Sequence, residues 1–443
     1  MLDLIIKPGW IFTGAANQGL LTKHVILIRD GKIVDIVPED SAKNLQAQKV
    51  EDLPTCMVLP GLINGHSHAS MSLLRCVGSD LSTLDWLKKV IWPVEGQLME
   101  PKFVADGALL GATEMLLNGI TTTQDMYFFP EEAAISMAEE GMRVVAGGMI
   151  IGFPSPQASC EEEYFTQAKN LFEKYKDHPN ISFNMAPHAP YSVSKEMLQR
   201  SMAFAEEHGC QWQIHLSETP QEVQESLDKH GLTPVEYLHS IGCLNSHTVA
   251  VHCVCLTDKD IELLAKSKAS VIHCPTSNLK LGCGIARVPE MLDAGINVGI
   301  GTDGCASGHN TDLLEEMRLA GLLAKGKYQN PKVLPVAKLL EMGTKNSANA
   351  IGLGSTIGVL ETGKSADLIA VETCHYGSQP CLEPLATVLY CAGAPSIIKT
   401  YVGGKVVAEK QLSSVNLPNW RATVSKCNLM SWQNRVCEIL QSY

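Results

Sequence analysis

His66 and His68, in Asn64-Gly65-His66-Ser67-His68, stand two residues apart just beyond an apolar run, Met57-Val58-Leu59. Residues two apart on a β-strand share a face, so both imidazoles can reach one metal ion, and imidazole suits zinc or iron. Further groups able to ligate or to move a proton recur down the chain: His188, His215 with Glu218, His252, His273 and Asp303. His66, His68, His215 and Asp303 together would hold a hard or borderline divalent cation and leave a position open for water. The cation would lower that water's pKa, making hydroxide available near neutral pH. Glu218, three residues past His215, is placed for proton transfer rather than ligation. His252 is placed to steady the negative charge of a tetrahedral intermediate, and His273 reads as structural. Taken singly, Asp303 could be a turn residue, Glu218 a carboxylate at a helix N-terminus, and His252 a core histidine. The set is what points to chemistry.

Such a set needs a scaffold that brings distant segments together. Eight short apolar strands are expected at 57–63, 120–124, 143–150, 181–185, 211–214, 248–251, 270–272 and 297–300. Helical stretches separate them, for example 101–118, 161–175, 195–207, 258–265 and 312–324. Alternation of this kind predicts an α/β chain built as a (β/α)8 TIM barrel, whose active site gathers at the C-terminal strand ends. The histidines, Glu218 and Asp303 all fall at or just past those ends. No glycine-rich phosphate loop follows a strand, which disfavours an open, doubly wound sheet. The first 59 residues are β-rich, with an Asp30-Gly31 hairpin signal, and strand character returns after Gly354, with Gly403-Gly404 as a second hairpin turn. The expected division is a composite β-sandwich from 1–59 and 354–443, beside a barrel over 60–353.

A net charge of −12 disfavours nucleic acid and anionic membrane as partners. No apolar run approaches the roughly 20 residues of a membrane span. The 15 cysteines follow no frame and no secretory leader is seen, which predicts reduced thiols and a cytoplasmic protein. Cys-x-x-Cys is absent, so zinc ribbons and the cytidine-deaminase type of zinc site are excluded.

Five motifs resemble the amidohydrolase superfamily: Pro60-Gly61-Leu62-Ile63-Asn64-Gly65-His66-Ser67-His68, His215-Leu216-Ser217-Glu218, Val251-His252-Cys253, the stretch from His273-Cys274-Pro275 to Leu281-Gly282, and Gly301-Thr302-Asp303-Gly304. Leu73-Leu74-Arg75, Asp85-Trp86-Leu87 and Trp92-Pro93-Val94-Glu95 are similar to the 5′-methylthioadenosine/S-adenosylhomocysteine deaminases within it. The resemblance implies hydrolytic deamination of the adenine ring of a 5′-modified adenosine. Glu95 would hold the ribose hydroxyls, Trp86 would pack near the 5′ substituent, and His188 would contact the nucleoside. One metal is implied, because Met185-Ala186-Pro187-His188 lacks the lysine that bridges two ions in related barrels. Zinc is the default, and iron, manganese or nickel would suit the same donors. Glycine at 148, where many relatives carry an arginine, predicts that S-adenosylhomocysteine is disfavoured against 5′-methylthioadenosine, 5′-deoxyadenosine or adenosine, unless Arg143 substitutes for it. An aminohydrolase or chlorohydrolase of guanine or a triazine is the alternative. A homo-oligomer is allowed by the resemblance.

Overall fold

The computed structural model describes residues 1–15, 19–81, 83–375 and 377–410. Its N-terminal segment supplies β1 (Leu2–Ile11), β2 (His24–Arg29), β3 (Lys32–Pro38) and β4 (Ala47–Pro60). Asp30 and Gly31 join β2 to β3 with φ of 52° and 73°, the double left-handed turn that suits the right-handed twist of a hairpin.

The barrel strands follow: β5 (Leu62–His68), β6 (Ile120–Asp125), β7 (Arg143–Ile150), β8 (Ile181–Pro187), β9 (Gln211–Leu216), β10 (Thr248–His252), β11 (Ser270–His273) and β12 (Asn297–Ile300). Each pairs in parallel with the next in chain order. Just past β12, the two-residue β13 (Asp303–Gly304) pairs with the end of β5, Asp303 opposite Ser67, and closes the ring. Closure needs glycine at 301, since a Cβ there would lie 2.9 Å from the backbone N and O of His66. Helices Pro101–Leu117, Glu161–Tyr175, Lys195–His208, Asp258–Ser267 and Leu313–Tyr328 follow the expected alternation.

The chain then returns as β14 (Leu368–Glu372), β15 (Ile397–Val402) and β16 (Lys405–Glu409). β14 pairs antiparallel with β4, Ala370 against Val58, so the N-terminal strands and these returning strands share one seven-stranded sheet. The sheet curls on itself. Leu4, Ile6, Ile26 and Ile28 from one half bury against Leu368, Ala370 and Tyr401 from the other. Backbone bonds from Ile33 N to Lys364 O (2.9 Å) and from Gly363 N to Ile33 O (2.8 Å) help close it.

The first barrel strand differs from expectation. The run 57–59 belongs to β4, and the barrel begins at Leu62, after Pro60-Gly61 carries the chain from one sheet to the other. The part of the expected terminal unit beyond 410 lies outside the described residues. Among the described residues no helix is long and apolar enough to cross a membrane.

Candidate active site

The alternation of β5 sets the His66 and His68 rings 4.7 Å apart, centre to centre. Each ring is oriented through Nδ1. That of His66 lies 3.0 Å from Gln213 Oε1, that of His215 lies 2.8 Å from the His188 carbonyl, and that of His68 meets the Met126 carbonyl. With Nδ1–H donating, each Nε2 keeps a lone pair. These atoms converge: His66 Nε2 lies 3.2 Å from His215 Nε2, and Asp303 Oδ1 lies 3.4 Å from His66 Nε2 and 3.1 Å from His68 Nε2. The other Asp303 oxygen accepts from Ser277 Oγ (2.6 Å) and Ser307 Oγ (2.9 Å). Burial holds His66 and His215 below the usual imidazole range, whereas the Asp303 carboxylate outweighs burial at His68 and lifts it to about 9. Facing lone pairs repel unless a cation sits among them, and this donor set fits a divalent metal ion.

The donors form two overlapping groups. His66, His68 and Asp303 lie within 4.8 Å of one another, and so do His66, His215 and His252. His252 is therefore within reach of the same centre as the four expected ligands. Its Nδ1 lies 2.9 Å from Asn278 Oδ1, and its Nε2 lies 4.0 Å from Glu218 Oε1. Glu218 also has Cys283 Sγ at 3.8 Å, and burial, then the charge of Asp303, push its carboxyl up to about 8. Three strand ends turn through left-handed backbone: Ser217 (φ 51°), His252 (φ 74°) and Asp303 (φ 60°). At residues other than glycine this costs on the order of 1 kcal/mol or more each, and it turns the chain out of the pleat where the polar groups collect.

Tyr127 stands next to the cradle, its ring 6.2 Å from that of His68, and its hydroxyl donates to Glu95 Oε1 at 2.6 Å. Glu95 is buried on helix Trp92–Leu98, and burial, partly offset by the Tyr127 bond, pushes it up to about 7. Trp86 is buried with its indole donating to the Val77 carbonyl at 3.0 Å. His188 Nδ1 lies 2.7 Å from Ser192 Oγ. One cavity is lined by Trp86, Glu95, His188, Glu218, His252, His68, His215 and Asp303, with His66 buried beneath it. His273 is buried beside His252, and its Nδ1 has no partner among the described residues.

Two expectations about the 5′ end need correction. A Cβ at Gly148 would meet Ala168 Cβ and Phe183 Cζ, both at 2.7 Å, so position 148 faces the helix layer and not the cavity. Arg143, at the opposite end of β7, is held by Asp367 through Nε to Oδ2 (2.6 Å) and Nη2 to Oδ1 (3.2 Å). It does not line the cavity.

Sequence reasoning missed Tyr127, and also Asp125. The Asp125 carboxylate accepts Ala69 N at 2.6 Å and Ser67 Oγ at 3.1 Å, fixing the residues on both sides of His68. Both residues sit at or just past the end of β6, the same signal that marked the histidines. Met126, Phe128, Met149, Ile151 and Leu281 also line the cavity, and in sequence they are indistinguishable from core.

Residues 57–407 match the model of the Amidohydrolase family. The 5-methylthioadenosine/S-adenosylhomocysteine deaminase of Saccharophagus degradans is 38% identical over 416 residues, covering 94% of this chain and 93% of its own. The 5′-deoxyadenosine deaminase of Methanopyrus kandleri is 38% identical over 390 residues, 87% of this chain and 89% of its own. The crystal structure of an adenosine deaminase from Xanthomonas campestris with bound zinc superposes with a TM-score of 0.91 at 35% identity, covering 99% of both chains.

Proposed function

The chain belongs to the amidohydrolase family, and from that premise we propose that it hydrolytically deaminates the adenine ring of a 5′-modified adenosine, giving the inosine analogue and ammonia. The observation that carries this reading is a single cavity holding both the metal cradle with Glu218 and, beyond Tyr127, a buried carboxylate at Glu95. The first half suits hydrolysis at an electron-poor ring carbon. The second suits a cis-diol, whose two hydroxyls a carboxylate can accept together.

His66, His68, His215 and Asp303 would hold the ion, which we assign as zinc from its preference for imidazole with one carboxylate. When bound, it supplies a water acidic enough to serve as nucleophile near neutral pH. Glu218 delivers a proton to N1 of the ring as the water oxygen joins C6. His252 donates to that oxygen from Nε2 when Asn278 turns its amide nitrogen, which has no partner among the described residues, towards Nδ1. Glu218, or Asp303, then takes the proton remaining on that oxygen and passes it to the leaving amine. The C6–N bond breaks, ammonia departs, and the oxygen remains as the C6 carbonyl. His188 and Trp86 contact the nucleoside, and Glu95 accepts the ribose hydroxyls.

The proposal also places the protein in the cytoplasm, with segments 1–59 and 354–443 as one terminal unit beside the 60–353 barrel. A homo-oligomer is the one macromolecular association it allows. Ammonia release from metal-loaded protein tests it, with 5′-methylthioadenosine, 5′-deoxyadenosine, adenosine, S-adenosylhomocysteine and guanine in parallel. Turnover of the adenosines supports the reading. Turnover of guanine alone would move the site to a free heterocycle, which offers Glu95 no diol.

A further inference from the structure

Just past β11, the short helix Pro275–Lys280 turns two consecutive side chains onto the metal cradle and its neighbour. Ser277 Oγ donates to Asp303 Oδ2 at 2.6 Å, and Asn278 Oδ1 lies 2.9 Å from His252 Nδ1. A single turn of backbone thus sets both a ligand carboxylate and the imidazole beside it. At 6 residues the helix is far too short to be stable alone. Its place must be fixed from outside.

Two side chains hold it from behind. Thr276 N donates at 3.1 Å to Glu316 Oε2, on helix Leu313–Tyr328. Lys280 Nζ, at the other end, donates to the Ala306 carbonyl at 2.7 Å. Ala306 precedes Ser307, whose hydroxyl also donates to Asp303 Oδ2. Glu316 is 1% exposed and does not line the active cavity. Leu313, Met317 and Ala320 on the same helix are buried with it. Burying a carboxyl in such a layer is costly unless it is hydrogen-bonded, and burial pushes this one up to about 8. The bond it makes goes to the helix that reaches both Asp303 and His252.

We infer that Glu316 is a positioning residue for the metal centre: by holding Thr276 it fixes helix Pro275–Lys280, and through Ser277 and Asn278 it sets Asp303 and His252. Its effect on zinc binding is independent of the deaminase reading, and only its effect on turnover rests on that reading. The test compares Glu316→Gln with Glu316→Asp in the full chain. The first keeps an acceptor at the same reach, whereas the second keeps the charge and falls a methylene short. Zinc affinity is read by competition with a chelator, and kcat and KM are read with 5′-deoxyadenosine.

Glu316→Gln should stay within about threefold of the wild type in zinc affinity and kcat, since the hydrogen bond survives. Glu316→Asp should weaken zinc binding and lower kcat by about 10- to 100-fold, the range for groups that orient a metal ligand, with KM little changed. Glu316→Met, which fills the space without an acceptor, should match Glu316→Asp and stands in for it should that variant fail to fold. In a Ser277→Ala/Asn278→Ala background, Glu316→Asp should change zinc affinity by less than about threefold, because its route is already cut. Unchanged zinc binding in Glu316→Asp and Glu316→Met, or the full loss retained in the double-alanine background, would overturn the positioning role. A weak Glu316→Gln beside a normal Glu316→Asp would overturn it in favour of the charge itself. No ammonia from the wild type would sink the deaminase reading and leave the zinc result to decide the positioning.

Discussion

The carboxylate of Glu222 accepts the backbone amide of Glu218 at 2.7 Å with one oxygen and that of Ser217 at 2.9 Å with the other. Glu222 is buried at the start of helix Pro220–His230, where Thr219 caps its amide at 3.1 Å. It thereby fixes the left-handed turn from which Glu218 enters the cavity. Glu222→Ala should lower kcat by about 10- to 100-fold, the range for groups that orient a functional residue, with KM and metal content little changed. Glu222→Gln, which keeps one acceptor, should restore part of kcat. Steady-state kinetics with metal analysis decide it, and a rise in KM at unchanged kcat would rule out positioning of Glu218.

Holding the metal and moving the proton should separate by substitution. His66→Ala removes the donor shared by both ligand groups, and the purified variant should lack the ion. Glu218→Gln should retain the ion and lose on the order of 10^2- to 10^4-fold in kcat, the usual worth of a positioned acid–base group. Chelation should lower the melting temperature of the wild type, because an ion bound only by the folded state adds to its stability. In His66→Ala chelation should have no effect.

Glu95 gives binding a pH dependence. Burial raises its carboxyl to about 7, so the ionised form that accepts both hydroxyls of a diol is present above that pH and lost as pH falls through it. KM for 5′-deoxyadenosine should rise on the acid side of about pH 7. In Glu95→Gln, KM should be higher at neutral pH and flat across this window. An acid limb that persists in the variant would assign the titration to another group.

The Arg143–Asp367 pair serves stability and not specificity. Asp367 is buried, and Arg143 ties β7 to the residues leading into β14. Breaking a buried pair from one side costs about 3 kcal/mol or more, so Arg143→Met should lower the denaturation midpoint clearly. The ratio of kcat/KM for S-adenosylhomocysteine over 5′-methylthioadenosine should stay unchanged. A shift in that ratio would return Arg143 to the substrate.

Strand ends were legible in sequence because polar groups there break an apolar run at a period the barrel imposes. That is why His66, His68, His215, His252 and Asp303 stand out in the sequence, and the structure brings them to one centre. The start of β5 was not legible. Met57-Val58-Leu59 and Leu62-Ile63 are equally apolar, and nothing local says that Pro60-Gly61 passes the chain between two sheets. Gly148 was misread for a related reason: the face a strand residue presents depends on register, and a single sequence does not fix it. Tyr127 escaped because an aromatic residue lining a cavity has the same composition and spacing as one filling a core.

The most direct test of the central claim is the fate of water oxygen. Metal-loaded protein would be given 5′-deoxyadenosine in oxygen-18 water, and the product analysed by mass spectrometry. The expected product is 5′-deoxyinosine carrying one heavy oxygen on its purine ring, with ammonia released in equal amount. Label in the sugar with free adenine, or a deaminated base without label, would contradict hydrolysis at C6.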